Sequence, residues 1–109
     1  MDMDVQDLPG GVSKVVLRGR FDTTGAVLIE LPFNTIATEK RAIIVDLSDV
    51  SYIDSAGLAA LIQAMQKVEG YGGKFMLAGL QETVRSIFEI SRLDQVFQIF
   101  PDADSALAG

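Results

Sequence analysis

Asp54 and Ser55 stand side by side in the stretch SYIDSAGLAALI (51–62), where a polar joint gives way to small and apolar residues. An acid next to a hydroxyl at such a joint has two uses. Either side chain can accept a hydrogen bond from an unpaired amide in the first turn of a following helix. The hydroxyl of Ser55 can also take a phosphoryl group and gain about −1.5 to −2 charges at neutral pH. A third chemistry would gather Asp46, Asp49 and Asp54 around a Mg²⁺ ion near the end of one strand. Such sites usually also draw on substrate phosphates, and no phosphate-binding loop is present, so solvated loop acids are the expectation.

The residues that are missing narrow the choice further. The chain has no His and no Cys. That removes every Ser-His-acid triad, every thiolate nucleophile or thiolate metal site, and any disulfide. Ser55 sits in Asp-Ser-Ala-Gly rather than in a nucleophile elbow. Gly70, Gly72 and Gly73 fit neither the spacing of a nucleotide-binding loop nor its context, since they precede a strand instead of opening a helix. A binding module is expected rather than an enzyme, with no cofactor and no metal.

Totals bound the setting. A chain of 109 residues makes one compact domain, 1–109, and 49% hydrophobic content rules out a disordered segment. A net charge of −6 repels nucleic acid and anionic lipid. No apolar run approaches the ~20 residues of a membrane span, and the acidic start MDMDVQDL is unlike a secretory signal. The expected address is the cytoplasm, without membrane insertion. Met1 and the unbroken order of motifs favour a whole chain over a fragment.

These residues need elements to position them. Met3–Leu8 and Val12–Arg20 read as strands joined by a Pro-Gly-Gly hairpin. Asp22 or a following Thr can cap the next helix. That helix is apolar almost all round, and Pro32 predicts a kink or break in it, with Phe33–Glu39 as a second short piece. Ala42–Leu47 is a continuous apolar run suited to a central parallel strand buried on both faces. From Ser55 to Gly70 the period changes: Leu58, Leu61, Ile62, Met65 and Val68 mark one face of a helix. Lys74–Ala78 is a buried strand, Gln81–Ser91 a helix, Val96–Phe100 a last strand, and Asp104–Leu107 a final helical turn. The order β-β-α-β-α-β-α-β-α predicts an α/β fold on a mixed, mostly parallel sheet of four or five strands.

With Leu58 and its companions inward, the opposite face of the 55–70 helix carries Ala56, Ala59, Ala60, Gln63 and Lys67. An ordinary solvent face carries several charges, and this one has a single lysine two turns in. Small side chains there let another protein's backbone come close. A phosphate on Ser55 would be favoured locally by the helix N-terminus. It would also set a solvated dianion at the rim of that smooth patch.

Several blocks together carry a resemblance. They are Leu17–Asp22 (LRGRFD), Ile44–Leu58 (IVDLSDVSYIDSAGL), Gly72–Phe75 (GGKF), and Ile90–Leu93 (ISRL) before Val96-Phe97. In order and interval they resemble the STAS domain, and more narrowly the stand-alone bacterial anti-sigma factor antagonists. The resemblance covers nearly the whole chain, and its central block is the specific part. It implies that the Ser directly after the Asp of that block, Ser55 after Asp54, is phosphorylated by a partner anti-sigma factor that is a GHKL-type Ser/Thr kinase using ATP and Mg²⁺. It implies that the unphosphorylated form binds that partner and releases the sigma factor, and that a PP2C-type phosphatase reverses the switch. Asp22 matches the acid that the family places near the phosphorylation site.

The partner surface expected from these readings comprises Asp22, Asp54, Ser55, Ala56, Gly57, Ala59, Ala60 and Gln63, on a protein that is a monomer when alone. Three departures mark this chain. Ala56 replaces a frequent Ser or Thr and leaves Ser55 as the only hydroxyl at the joint. Arg20 stands where Glu is common, and Pro32 interrupts the first helix. The alternative on the same fold is an accessory subunit of an ABC-type phospholipid transporter, with which Ala56-Gly57 is compatible. A stressosome-like scaffold would carry additional domains.

Overall fold

The structure is a computed structural model and describes residues 1–36 and 40–108. Pro9-Gly10-Gly11 reverses the chain because both glycines take positive φ, 84° and 77°, a region that L side chains rarely enter. The turn joins β1 (Asp2–Leu8) to β2 (Val12–Phe21) as an antiparallel hairpin, with Leu8 opposite Val12 and Asp2 opposite Arg18. From there the chain alternates: α1 (Thr23–Ile36), β3 (Ala42–Ile53), α2 (Ser55–Gly70), β4 (Lys74–Ala78), α3 (Glu82–Ile90), a 3₁₀ turn at Leu93–Gln95, β5 (Gln98–Phe100) and α4 (Ala103–Ala108). The five strands lie in sequence order, β1-β2-β3-β4-β5, and every pair after the first is parallel. The mixed, mostly parallel α/β sheet expected from the sequence is the one observed.

Alternation along β3 assigns its two faces. Ile43, Val45 and Leu47 join Leu17, Ile29, Leu61, Val84 and Phe88 in the main core, so α1, α2 and α3 share one side of the sheet. Ala42 and Ile44 point the other way and meet Met76, Ala78, Ala103 and Ala106, so α4 covers the second side. Burial on both faces is why this stretch reads as an unbroken apolar run. Strand order without reversal, joined by crossovers of one hand, stacks three consecutive helices on one face. The return of the chain from each strand end makes α1 and α2 run in the same direction. Ser13 is the one buried polar residue among those described, and its hydroxyl donates to Asp7 Oδ1 at 3.0 Å.

Three elements depart from expectation. β3 continues beyond Leu47 to Ile53, held by its pairing with β2 through Phe21 opposite Ile53. β5 is shorter than Val96–Phe100. Phe97 leaves the strand to pack at 5.7 Å on Phe88 and 6.1 Å on Phe75, and the chain reaches it through Arg92 at φ 61°. Its apolarity serves the helix-side core. The third is Pro32, which lies inside one continuous helix, Thr23–Ile36. Pro32 deprives the Leu28 carbonyl of its donor, and both residues lie on the exposed side of α1, where solvent can reach the freed carbonyl. Of the second piece expected at Phe33–Glu39, the first part belongs to α1, and residues 37–39 lie outside the described ones.

A helix that keeps an interior proline on its wet side is less stable than it need be. Pro32→Ala supplies the missing donor and is expected to stabilise the protein by up to about 3 kcal/mol. Thermal unfolding followed by circular dichroism checks this. A lower midpoint in the variant would show that the ring holds α1 in place.

Candidate functional site

Two strands end side by side at one edge of the sheet. Phe21 closes β2, Ile53 closes β3, and both are buried register partners. Each is followed by an aspartate that opens a helix. The Asp22 carboxylate accepts from the Gly25 N–H at 3.1 Å, which caps α1. Asp54, in extended backbone, accepts from the Ala56 and Gly57 N–H groups at 3.0 and 3.2 Å, which caps α2. Between the two cap candidates at the joint, the structure chooses Asp54. Ser55 becomes the first helical residue. Its hydroxyl is exposed and bonded to nothing among the described residues.

The joint is held to β2 through a single carbonyl. The Asp54 N–H donates to Phe21 O at 3.2 Å. A Cβ on Gly57 would stand 2.4 Å from the same oxygen and 2.8 Å from Ile53 Cγ1. Only glycine allows α2 to start this close to the strand end. Gly57 is therefore buried against Phe21 and is not on the outer surface, where the expected partner contacts had placed it. It acts as a spacer that fixes where Ser55 stands.

Arg20 borders the site. Its guanidinium lies 4.1 Å over the ring of Tyr52, its register partner, and its Nε is 4.0 Å from Asp22 Oδ2. Asp46 and Asp49 are engaged elsewhere. Asp46 accepts from the Ser48 N–H at 2.9 Å and lies 3.9 Å from Lys14, and Asp49 lies 3.6 Å from Arg18. With Asp54 occupied as a cap, the three acids weighed as Mg²⁺ ligands each have a separate structural task.

The inward face of α2 holds the expected Leu61, Met65 and Val68, and its centre is shifted toward small residues. Gly57, Leu61, Ala64, Met65 and Val68 are the buried residues of α2, while Leu58 and Ile62 are half-buried on its flank. The small-residue face borders α1 across a gap, with Ala59, Gln63 and Lys67 exposed and Ala56 and Ala60 half-buried. Between the two helices runs a groove of about 330 Å³. Ala56, Ala59, Ala60 and Gln63 form one wall, and Thr23, Ala26, Val27 and Glu30 form the other. Asp22, Asp54 and Ser55 stand at the end of the groove where both helices begin.

The α1 side of this site was missed in the sequence reading. Thr23 brings a second exposed hydroxyl to the groove, so Ser55 is not alone there. A signal existed: α1 is apolar almost all round, yet one side of a helix is all the core can take. The surplus is visible as Val27, Leu28 and Leu31, which are 65%, 56% and 77% exposed.

With the geometry in view, comparison with known proteins gives a consistent result. The family model described as the STAS domain matches residues 6–106. The anti-sigma-F factor antagonist RsfB of Mycobacterium tuberculosis is 30% identical over 100 residues, covering 91% of this chain and 81% of the relative. The anti-sigma-B factor antagonist of Bacillus subtilis is 28% identical over 86 residues, or 79% of each chain. The crystal structure of an anti-sigma factor antagonist from Mycobacterium paratuberculosis superposes with a TM-score of 0.88 at 29% identity, covering 98% of this chain and 91% of that one.

The cap and the spacer separate in a denaturation experiment. Asp54→Ala loses an acceptor for two amides and is expected to cost about 1 kcal/mol. Gly57→Ala forces a Cβ onto a backbone oxygen and is expected to cost about 1–3 kcal/mol. Urea unfolding of both variants measures the difference. A Gly57→Ala protein as stable as the parent would mean that α2 can shift off β2 without penalty.

Proposed function

Since the chain belongs to the STAS domain family, we propose that it is an anti-sigma factor antagonist whose binding is switched off by phosphorylation at Ser55. The observation that carries the reading is the Ser55 hydroxyl: exposed, unbonded among the described residues, and fixed as the first residue of α2 by the Asp54 cap and the Phe21–Gly57 contact. Relatives that match most of both chains bear the name anti-sigma factor antagonist, which supports the same reading.

In this reading the unphosphorylated protein docks on an anti-sigma factor that is a GHKL-type Ser/Thr kinase, and the sigma factor is released. The docking face comprises Asp22, Asp54, Ser55, Ala56, Ala59, Ala60 and Gln63. The exposed apolar residues Val27 and Leu31 of α1 extend it. The partner supplies ATP and Mg²⁺ and transfers the phosphoryl group to the Ser55 oxygen. The antagonist is the substrate and performs no chemistry of its own.

The switch works by charge in a prepared place. Phosphate adds about −1.5 to −2 charges beside the carboxylates of Asp22 and Asp54. Its oxygens lie at a helix N-terminus, which favours the phosphorylated state without refolding. A partner surface fitted to a small hydroxyl and bare alanines then meets a solvated dianion, and the complex dissociates. A PP2C-type phosphatase restores the hydroxyl. The protein acts as a monomer in the cytoplasm.

Incubation with a GHKL-type Ser/Thr kinase encoded beside the gene, ATP and Mg²⁺ is expected to place one phosphate on Ser55, mapped by mass spectrometry. Ser55→Ala should abolish labelling and keep partner binding, and Ser55→Asp should weaken binding at least about tenfold, near 1.4 kcal/mol. Phosphate on Thr23 instead of Ser55 would relocate the switch across the groove. Stable co-purification with an ABC ATPase and no kinase labelling would favour the transporter subunit. For the docking face, Ala59→Glu is the sharper probe, since Ala59 is exposed and Ala60 is half-buried. It should lose the partner while keeping the parent circular dichroism spectrum, and undiminished binding would place docking elsewhere.

A further inference from the structure

The groove between α1 and α2 has features that a protein-docking face does not require. Its floor lies below the surface: Ile29, Phe33 and Ala64 line it and are 3%, 5% and 6% exposed. Its volume of about 330 Å³ falls in the range of small-molecule sites. Thr23 to Asn34 on α1 and Ala56 to Lys67 on α2 each span eleven positions. At a helical rise of about 1.5 Å per residue the groove is about 16 Å long. At the end away from Ser55 the Lys67 ammonium reaches across to donate to Asn34 Oδ1 and bridges the two helices.

Among the described residues, Lys67 is the only cation lining the groove, and no carboxylate lies within ion-pair distance of it. Its partner is a neutral amide. An apolar trough with an ammonium near one end is complementary to a molecule with an anionic head and a hydrocarbon tail. We propose that the α1–α2 groove binds a free long-chain carboxylate, with the head group on Lys67 and the tail along the alanines toward Ser55.

The residues divide the work as this ligand demands. Lys67 and the amides of Asn34 and Gln63 supply donors for two carboxylate oxygens. Ala26, Ala56, Ala60 and Phe33 offer apolar walls and leave room where larger residues would fill the trough. Glu30 is the opposing term. It also lines the groove, one turn from Asn34 toward Thr23, and like Lys67 it is exposed, so water screens both charges and the head group's preference rests on its distance from each. This inference concerns binding of a ligand and stands whether or not Ser55 is phosphorylated.

Isothermal titration of the full chain with saturated fatty acids below their micelle thresholds tests it. Affinity is expected to rise about fourfold for each added methylene and to level off when the tail fills the groove. Dodecanoate should bind more tightly than dodecanol. Lys67→Gln should lose at least about tenfold for dodecanoate and little for dodecanol. Glu30→Gln should tighten dodecanoate binding, and Ala60→Leu, which narrows the trough, should weaken every chain length. If Ala60→Leu does not fold, the Lys67 and Glu30 variants still decide. No saturable binding, equal affinity of acid and alcohol, or indifference to Lys67→Gln overturns the proposal.

Discussion

The carbonyl of Phe21 is the point on which the site depends. It accepts the Asp54 N–H and lies where a side chain on Gly57 would have to go. A buried carbonyl so close to a neighbouring helix is tolerable because it is hydrogen-bonded and because glycine leaves it space. The contact binds the end of β2 to the start of α2. With the Asp54 cap, it leaves the first turn of α2 no freedom to slide. Ser55 is held at that turn, outside the contact, with its hydroxyl toward solvent.

The same arrangement recurs one strand away. Each strand ends on a buried apolar residue and each following helix is capped by an aspartate, Asp22 for α1 and Asp54 for α2. Two helices started this way run side by side with small residues between them, and a groove remains where bulkier residues would have closed the gap. One end of it holds the two acids and Ser55, and the other holds Lys67. In the proposed switch, the acid end needs no structural change to reject a partner, since a phosphate there adds to charge already present. The helix N-terminus keeps that phosphate from being costly to the fold itself.

Much of this was legible in the residues. The run Ala42–Leu47 announced a strand buried on both faces, and the period of 55–70 announced α2 with both its ends correct. The cap at the joint was foreseen as a choice between Asp54 and Ser55. What failed has a common cause. Leu58 and Ile62 do pack against the core as their size suggests, but they are only half-buried, whereas Gly57 and Ala64 are fully buried because β2 and α1 approach closely there. Close approach selects small residues, and a reading based on hydrophobic size cannot register it. Pro32 misled for a similar reason: the penalty of an interior proline depends on whether the freed carbonyl meets water, which only the packing decides. Phe97 looked like a strand residue because aromatic residues favour strands, but its ring serves the core from a turn.

The central claim is that phosphorylation changes the charge of a rigid joint without refolding it. Amide NMR spectra of the protein before and after phosphorylation at Ser55 test this most directly. The account predicts shifts confined to the neighbourhood of Phe21–Thr24 and Asp54–Ala60, with β4, α3 and α4 unmoved. Widespread shifts reaching β4 and α3 would contradict it, since they would mean that the switch acts by rearranging the fold.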